Sequence, residues 1–287
     1  MRTAVLSVPG CLNAPLVRQR AAVQLGEVIA DANLLVSTAA AARACRRERK
    51  NRISTTGDRR SAMPEDEPRE WDREAFTDAV AAYQQSLGRD FWRLLWVAAA
   101  ELATATSVRP ERLAALADLP LERTLAVARE AWEWAPSGER LVGAGLTSVE
   151  TPYRVDIDEH TKWTYCAPDT LELPVILDRP VRTRSSCAAT GEAIRVHATA
   201  TGVQDLDPPG AVSLPDMSVR TGLAEVGASV CNHSRFYRDA EAGSEWLAAN
   251  PRGRLLTVSE AFAVMRASMV RIRDWCQEPV GRRTDPA

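Results

Sequence analysis

The stretch "WTYCAPDTLELPVI", residues 163 to 176, sets a thiol three residues before a carboxylic acid, just where the sequence turns apolar. Pro168 suits the first turn of a helix, where its missing N–H is not needed. A helix beginning there puts Cys166 at or just before its N-terminus and Asp169 on the same face. The helix dipole would then favour a thiolate at Cys166. Spacing alone leaves two readings open. Cys166 is a small buried residue and Asp169 an ordinary cap, or the two form a reactive pair.

The stretch also divides two kinds of pattern. Before it, Phe76, Val80, Tyr83, Leu87, Phe91, Leu94, Ala98 and Leu102 recur at spacings of three and four, which predicts amphipathic helix broken at Gly88. Pro110 opens a further helix in "PERLAALADL", and "PLERTLAVAREAWEW" makes another after a short turn. With "GERLVGAGL" and "TPYRVDIDE" behind them, these read as a helix-turn-helix with a β-wing ending at His160. After the stretch, "VRTRSSCAATGEAIRVHATATG" predicts a hairpin turning near Thr190-Gly191, and "GAVSLP" and "GASVCNHSRF" predict short strands. "AGSEWLAANP" predicts a short helix. "RLLTVSEAFAVMRASMVRIRDW" predicts a strand feeding a long helix, with Thr257 and Glu260 at capping-box spacing. The expected fold class is α+β: a winged helix-turn-helix-like helical domain at 71–160, then a mixed or antiparallel sheet core with flanking helices at 161–287.

Composition and charge exclude several functions. The 287 residues are 45% hydrophobic and 26% charged, enough to bury a sizeable core. Net charge is −2, so bulk electrostatics offers no case for nucleic acid or an anionic membrane. The charge is uneven: residues 1–62 hold 11 Lys/Arg against 4 Asp/Glu, a net +7, which leaves −9 on the remainder. Residues 1–70 read as a basic extension without a packed core of its own, with one candidate helix at 21–42 and Met63 as an alternative start. No run of about 18 uncharged apolar residues suggests a membrane span, and "AVLSV" is too short for a secretory signal core. A cytoplasmic location is expected.

The six cysteines, at 11, 45, 166, 187, 231 and 276, are too sparse for a disulfide scaffold and include no CxxC pair. Cys187, among small residues in "SSCAATGE", reads as a packed thiol. Cys231 reads as a reachable thiol at a strand end, with His233 alternating beside it. Cys11, Cys45 and Cys276 carry no pattern.

Three cysteine-centred motifs in order, "YCAPDTLELPVI", "VRTRSSCAATGE" and "VCNHSRFY", followed by "WLAANP" and "LLTVSEAF", resemble the organomercurial lyase (alkylmercury lyase) family. The resemblance runs from about residue 108 to 265, and the first 70 or so residues are not required by the family pattern. It implies Cys166 and Cys231 as catalytic and mercury-binding cysteines, Asp169 as the catalytic acid and further mercury contact, and Cys187 as a structural cysteine. It implies protonolysis of a carbon–mercury bond in mercury detoxification. Low-molecular-weight thiols, and a mercuric reductase as possible acceptor, would take the metal afterwards.

Physical chemistry agrees with that implication. Mercury is soft and prefers thiolates; two of them load electron density onto the carbon, and a neighbouring acid protonates it. No organic cofactor is needed. Two rivals use the same thiols: a soft-metal sensor on a DNA-binding winged helix, and a protein that sequesters mercury or copper without cleavage. The sensor is disfavoured because residues 109–134 carry 4 Arg against 5 acids, whereas a DNA-reading face is basic. The sequestering protein would have no use for Asp169.

Overall fold

The spacing of apolar residues from Val80 to Leu102 does form two helices, α1 (Arg73–Ser86) and α2 (Arg89–Thr104). They part at Gly88, whose φ of 95° lies in the left-handed region that glycine enters without strain. The Trp92 indole N–H donates across the break to the Gln84 carbonyl at 2.6 Å. The computed structural model describes residues 72–278. The readings for residues 1–70, including the 21–42 helix, Met63, Cys11 and Cys45, lie outside the described residues.

Helix α3 (Pro110–Ala117) begins on its proline and stops where Asp118 turns left-handed at φ 50°. Three residues later α4 (Leu121–Ala131) runs the chain into strands β1 (Glu133–Trp134), β2 (Leu141–Ala144) and β3 (Leu146–Thr147). The next strands are β4 (Tyr153–Ile157) and β5 (His160–Thr164), joined by a tight turn with Asp158 left-handed. The strands therefore do not end at His160. They continue through Trp163 and Thr164, which pair with Arg154 and Tyr153. The boundary expected at 160/161 falls inside this hairpin.

Helix α5 (Ala167–Leu177) follows at once. Then come β6 (Val181–Ser186) and β7 (Ala193–Thr199), which form the expected hairpin with Gly191 at φ 74° in its turn. With β8 (Gly202–Asp207) these make an eight-stranded antiparallel sheet in the order β1-β2-β3-β5-β4-β6-β7-β8. Strands of the helical part and of the C-terminal part thus share one sheet, and the described residues from Arg73 onward fall in one compact unit. A second, three-stranded sheet joins β9 (Ala211–Leu214) to β10 (Phe236–Tyr237) and β11 (Arg254–Thr257), with the short helix α7 (Ser244–Ala249) before β11.

One expected strand is absent. "GASVCNHSRF" forms a single helical turn, α6 (Val226–Ser229), then a tight turn over Cys231–His233, and is extended only at β10. Its backbone is satisfied locally: Val230 N–H donates to Val226 O at 2.9 Å and His233 N–H to Val230 O at 3.0 Å. Without a neighbouring edge to pair with, an alternating sequence has no ladder to join, and the local bonds win.

The last helix, α8 (Val258–Gln277), carries the predicted capping box: Thr257 Oγ1 accepts from Glu260 N–H at 3.2 Å and Glu260 returns the bond to Thr257 N–H at 2.9 Å. It packs against α1 and α5. α5 is the centre of the core. Leu171 and Leu173 are fully buried, each contributing about 1.5–3 kcal/mol of apolar burial. This burial fixes the helix whose first turn carries Cys166 and Asp169. Among the described residues no helix is long and apolar enough to cross a membrane.

Candidate active site

Cys166 is the N-cap residue of α5, extended at φ −154°, and only 1% exposed. Asp169 occupies the third helical position and its Oδ2 accepts from the N–H groups of Cys166 at 3.2 Å and Tyr165 at 3.1 Å. The pair thus has the reciprocal geometry of a capping box, with a thiol where serine or threonine usually stands. The capping reading holds. Asp169 caps the helix, and its carboxyl lies beside the thiol.

Cys231 completes the site. Although 65 positions away in sequence, its Sγ, the Cys166 Sγ and an Asp169 carboxylate oxygen lie within 4.8 Å of one another. The tight turn bearing Cys231 is pinned from two sides. Ala167 N–H, at the start of α5, donates to Ser234 O at 3.2 Å, and the Tyr153 hydroxyl reaches the same carbonyl at 3.4 Å. On the other side Ser213 of β9 donates its hydroxyl to His233 O at 2.7 Å and accepts from Arg235 N–H at 2.9 Å. The second sheet therefore positions the second thiol.

Behind Asp169, Tyr165 donates its hydroxyl to the buried Glu133 at 2.8 Å. Gly143 leaves the room for that bond, since a Cβ there would collide with both Tyr165 Oη and Glu133 Oε2. This anchor holds the backbone whose N–H groups grip the Asp169 carboxylate.

The electrostatics follow from burial. Burial pushes the Asp169 carboxyl up to about 6, against hydrogen bonds from the Cys166 thiol and the Tyr165 and Cys166 N–H groups that hold it down. The group is poised between acid and carboxylate near neutrality. Cys166 departs from the expectation of a dipole-stabilised thiolate: burial, then its contacts with Cys231 and Asp169, raise its thiol well above the usual range. Loss of solvation outweighs the half-charge of a helix end. Glu172, one turn further along α5, is raised to about 8 by burial and by Asp169, against the Gln84 Nε2–H donated to its Oε1 at 3.0 Å.

The other sequence candidates lie apart. Cys187 is buried in the β6–β7 turn, outside the cluster. Burial raises its thiol, but bonds from Thr190 and the N–H groups of Arg238, Thr190 and Ala189 outweigh it and hold the thiol low. His233 is exposed on the Cys231 turn and is not part of the cluster. Cys276 sits in the last turn of α8, its Sγ 3.9 Å from Arg89 O. Sequence reasoning missed Tyr83 and Tyr153, which burial raises and which both sense Cys166 and Cys231. As apolar-face residues at helix and strand spacing they gave no signal. Glu172 did give one: a lone acid inside the apolar run "LELPVI".

Two thiols and a carboxyl of adjustable protonation make a donor set for a soft cation with a proton source beside it. Comparison with known proteins points the same way. The MerB alkylmercury lyase family model matches residues 146–269. An alkylmercury lyase of Bacillus cereus is 31% identical over 180 residues, covering 60% of this chain and 79% of that protein. The alkylmercury lyase of Streptomyces lividans is 33% identical over 172 residues, covering 58% and 76%. The crystal structure of the mercury-bound form of MerB2 superposes with a TM-score of 0.54 at 20% identity, covering 70% of this chain and 98% of that one, which establishes a shared fold. With relatives above 30% identity matched over three quarters of their length, this chain belongs to the alkylmercury lyase family.

Proposed function

We propose that this lyase cleaves the carbon–mercury bond of alkyl- and arylmercury compounds at the cluster of Cys166, Asp169 and Cys231. The observation that carries the assignment is the convergence of two thiols and one carboxyl within 4.8 Å from segments far apart in the chain. Cys231, partly exposed, takes the organomercury cation first, its proton going to the thiolate that leaves mercury; Cys166, buried, becomes the second sulfur ligand. As Cys166 binds mercury its proton passes to Asp169, and Asp169 gives it to the carbon. The carbon–mercury bond breaks with its electron pair on carbon, so a hydrocarbon R–H leaves and Hg(II) stays on two thiolates. Protons and electrons balance without an organic cofactor. A carboxyl poised near 6 suits a group that must accept and return a proton in each cycle.

Mercury enters here as substrate and leaves as product. External thiols remove the bound Hg(II), and a mercuric reductase is the fitting acceptor. A reducing, cytoplasmic compartment keeps Cys166 and Cys231 as thiols. The segment from α3 through the strands that follow it reads as a winged helix-turn-helix-like module that shares its sheet with the rest of the described residues. Its four Arg against five acids over 109–134 make it a structural module with no nucleic-acid partner. The test is incubation of the reduced protein with phenylmercury and excess thiol, with benzene measured in the headspace. Benzene at catalytic yield is the expected result; stoichiometric mercury binding without benzene would make the protein a sequestering one.

A further inference from the structure

The two thiol segments meet at the main chain of Ser234. Its N–H closes the tight turn that begins at Cys231, donating to Cys231 O at 3.3 Å. Its carbonyl oxygen accepts from Ala167 N–H, next to Cys166, at 3.2 Å and from the Tyr153 hydroxyl at 3.4 Å. A carbonyl has two lone pairs, enough for both donors. The Ser234 side chain takes no part: it is fully buried, and its hydroxyl makes no hydrogen bond among the described residues. Ser234 is held through its main chain.

Strand register brings Tyr153 to this oxygen. Tyr153 pairs with Thr164, so their side chains share a face of the sheet. On that face Thr164 donates its hydroxyl to Cys166 O at 3.1 Å. Thr151 stitches the same end of the hairpin, accepting from Tyr153 N–H at 3.1 Å and donating to Thr164 O at 2.6 Å. The Tyr153 ring leans on Phe236, fully buried two residues beyond Ser234, with ring centroids 6.3 Å apart. The ring is thus fixed at its strand and along its side, and its hydroxyl spans from β4 to the Cys231 turn. Burial, aided by Cys166, raises this phenol far above its usual range, so it stays a proton donor around neutrality.

A bond of 3.4 Å is long for O–H···O, and its own contribution to stability is small. What matters is where it acts. Ser213 ties the Cys231 turn to the second sheet, Ala167 ties it to α5, and the Tyr153 hydroxyl adds a tie to β4. Anchors from separate elements fix how far Cys231 stands from Cys166, and a misplacement of about 1 Å can cost on the order of 10²-fold in rate. We propose that Tyr153 is a positioning residue of the lyase reaction: through the Ser234 carbonyl it holds the Cys231 turn where one mercury bonds both sulfurs and stands beside Asp169. This inference rests on the lyase reading and assigns Tyr153 to its second step, closure of the dithiolate. The first capture needs only an open thiol, whereas closure and protonation need the spacing.

The test is Tyr153→Phe, which removes the hydroxyl and keeps the ring against Phe236. Reduced protein in excess is mixed with phenylmercury, and quenched samples are read by intact-mass spectrometry for the phenylmercury adduct and by gas chromatography for benzene. A separate arm loads Hg(II) alone and follows its removal by dithiothreitol. The expected result is adduct formation at the wild-type rate, with benzene release from that adduct about tenfold slower and Hg(II) removed about tenfold more readily, the scale of losing a partner that orients a metal ligand. A role in stability alone would lower the melting temperature and leave both ratios at one. Benzene release at the wild-type rate, or uptake and release slowed by the same factor, overturns the assignment. Absence of benzene from the wild-type protein overturns the lyase reading, and the Hg(II) arm then decides Tyr153: looser retention in the variant supports its positioning of the two sulfurs, and equal retention overturns it.

Discussion

The two thiols of the cluster sit in opposite kinds of structure. Cys166 caps a helix whose core residues are fully buried, with its own backbone N–H committed to Asp169. Cys231 sits on a tight turn between one helical turn and a two-residue strand, held by hydrogen bonds to Ser213 and Ala167 and partly open to solvent. Under the proposed mechanism the contrast is a division of labour. The buried pole fixes the acid against the metal, where a small misplacement costs rate. The open pole meets incoming thiol adducts, and its few regular bonds allow the approach and departure of ligands.

The sharpest way to break that comparison is to remove one pole at a time. Cys166→Ala and Cys231→Ala should each abolish turnover, whereas Cys276→Ala should retain it, all read as benzene release. Uptake of phenylmercury should also separate them: it should slow far more in Cys231→Ala than in Cys166→Ala, because only Cys231 is reachable at first contact. Equal uptake in both variants would erase the proposed order.

Next in size is the acid. Asp169→Asn keeps the shape and much of the capping ability, so the protein should bind organomercury through both thiols yet release hydrocarbon about 10²–10⁴-fold more slowly. A wild-type single-turnover rate in this variant would leave Asp169 as a cap only.

A smaller effect is expected where the rigid pole is anchored. Gly143→Ala forces a methyl group into the Tyr165–Glu133 bond, an overpacking that costs about 1–3 kcal/mol. Thermal melting should fall, and turnover should fall with it because the Tyr165 N–H that grips Asp169 is displaced. Reduced stability with unchanged turnover would show that this anchor does not reach the acid.

The least effect on catalysis is expected at Glu172, whose signature is in stability. Its carboxyl ionises near 4.5 in the unfolded chain and at about 8 when folded. The native protein therefore holds the extra proton between these values, and wild-type stability declines as pH rises from 4.5 to 8. Glu172→Gln removes that decline while keeping a partner for Gln84. Its melting temperature should match wild type near pH 4.5 and exceed it increasingly up to pH 8. Parallel melting curves across that range would contradict a buried, neutral Glu172.

The sequence by itself determined whatever depends on neighbours along the chain. The break at Gly88, the start at Pro110, the capping box of Thr257 and Glu260, the turn at Gly191 and the Cys166–Asp169 helix start are all local, governed by backbone sterics and hydrogen bonds within a few residues. The three ordered cysteine motifs likewise carried the family. The tertiary structure decided what depends on residues distant in sequence. The conformation of 226–234 could not be read from alternation, because a strand exists only where a partner edge does. The β4–β5 hairpin crosses the expected domain boundary because sheet pairing, invisible in composition, continues through it. The state of Cys166 was reversed for the same kind of reason: the helix dipole is visible in sequence, but the surrounding layers that strip water from the thiol are not, and desolvation is the larger force. The meeting of Cys231 with Cys166 belongs to the fold, because Ala167, next to Cys166, reaches the Ser234 carbonyl at the end of the Cys231 turn only once the chain has closed around α5.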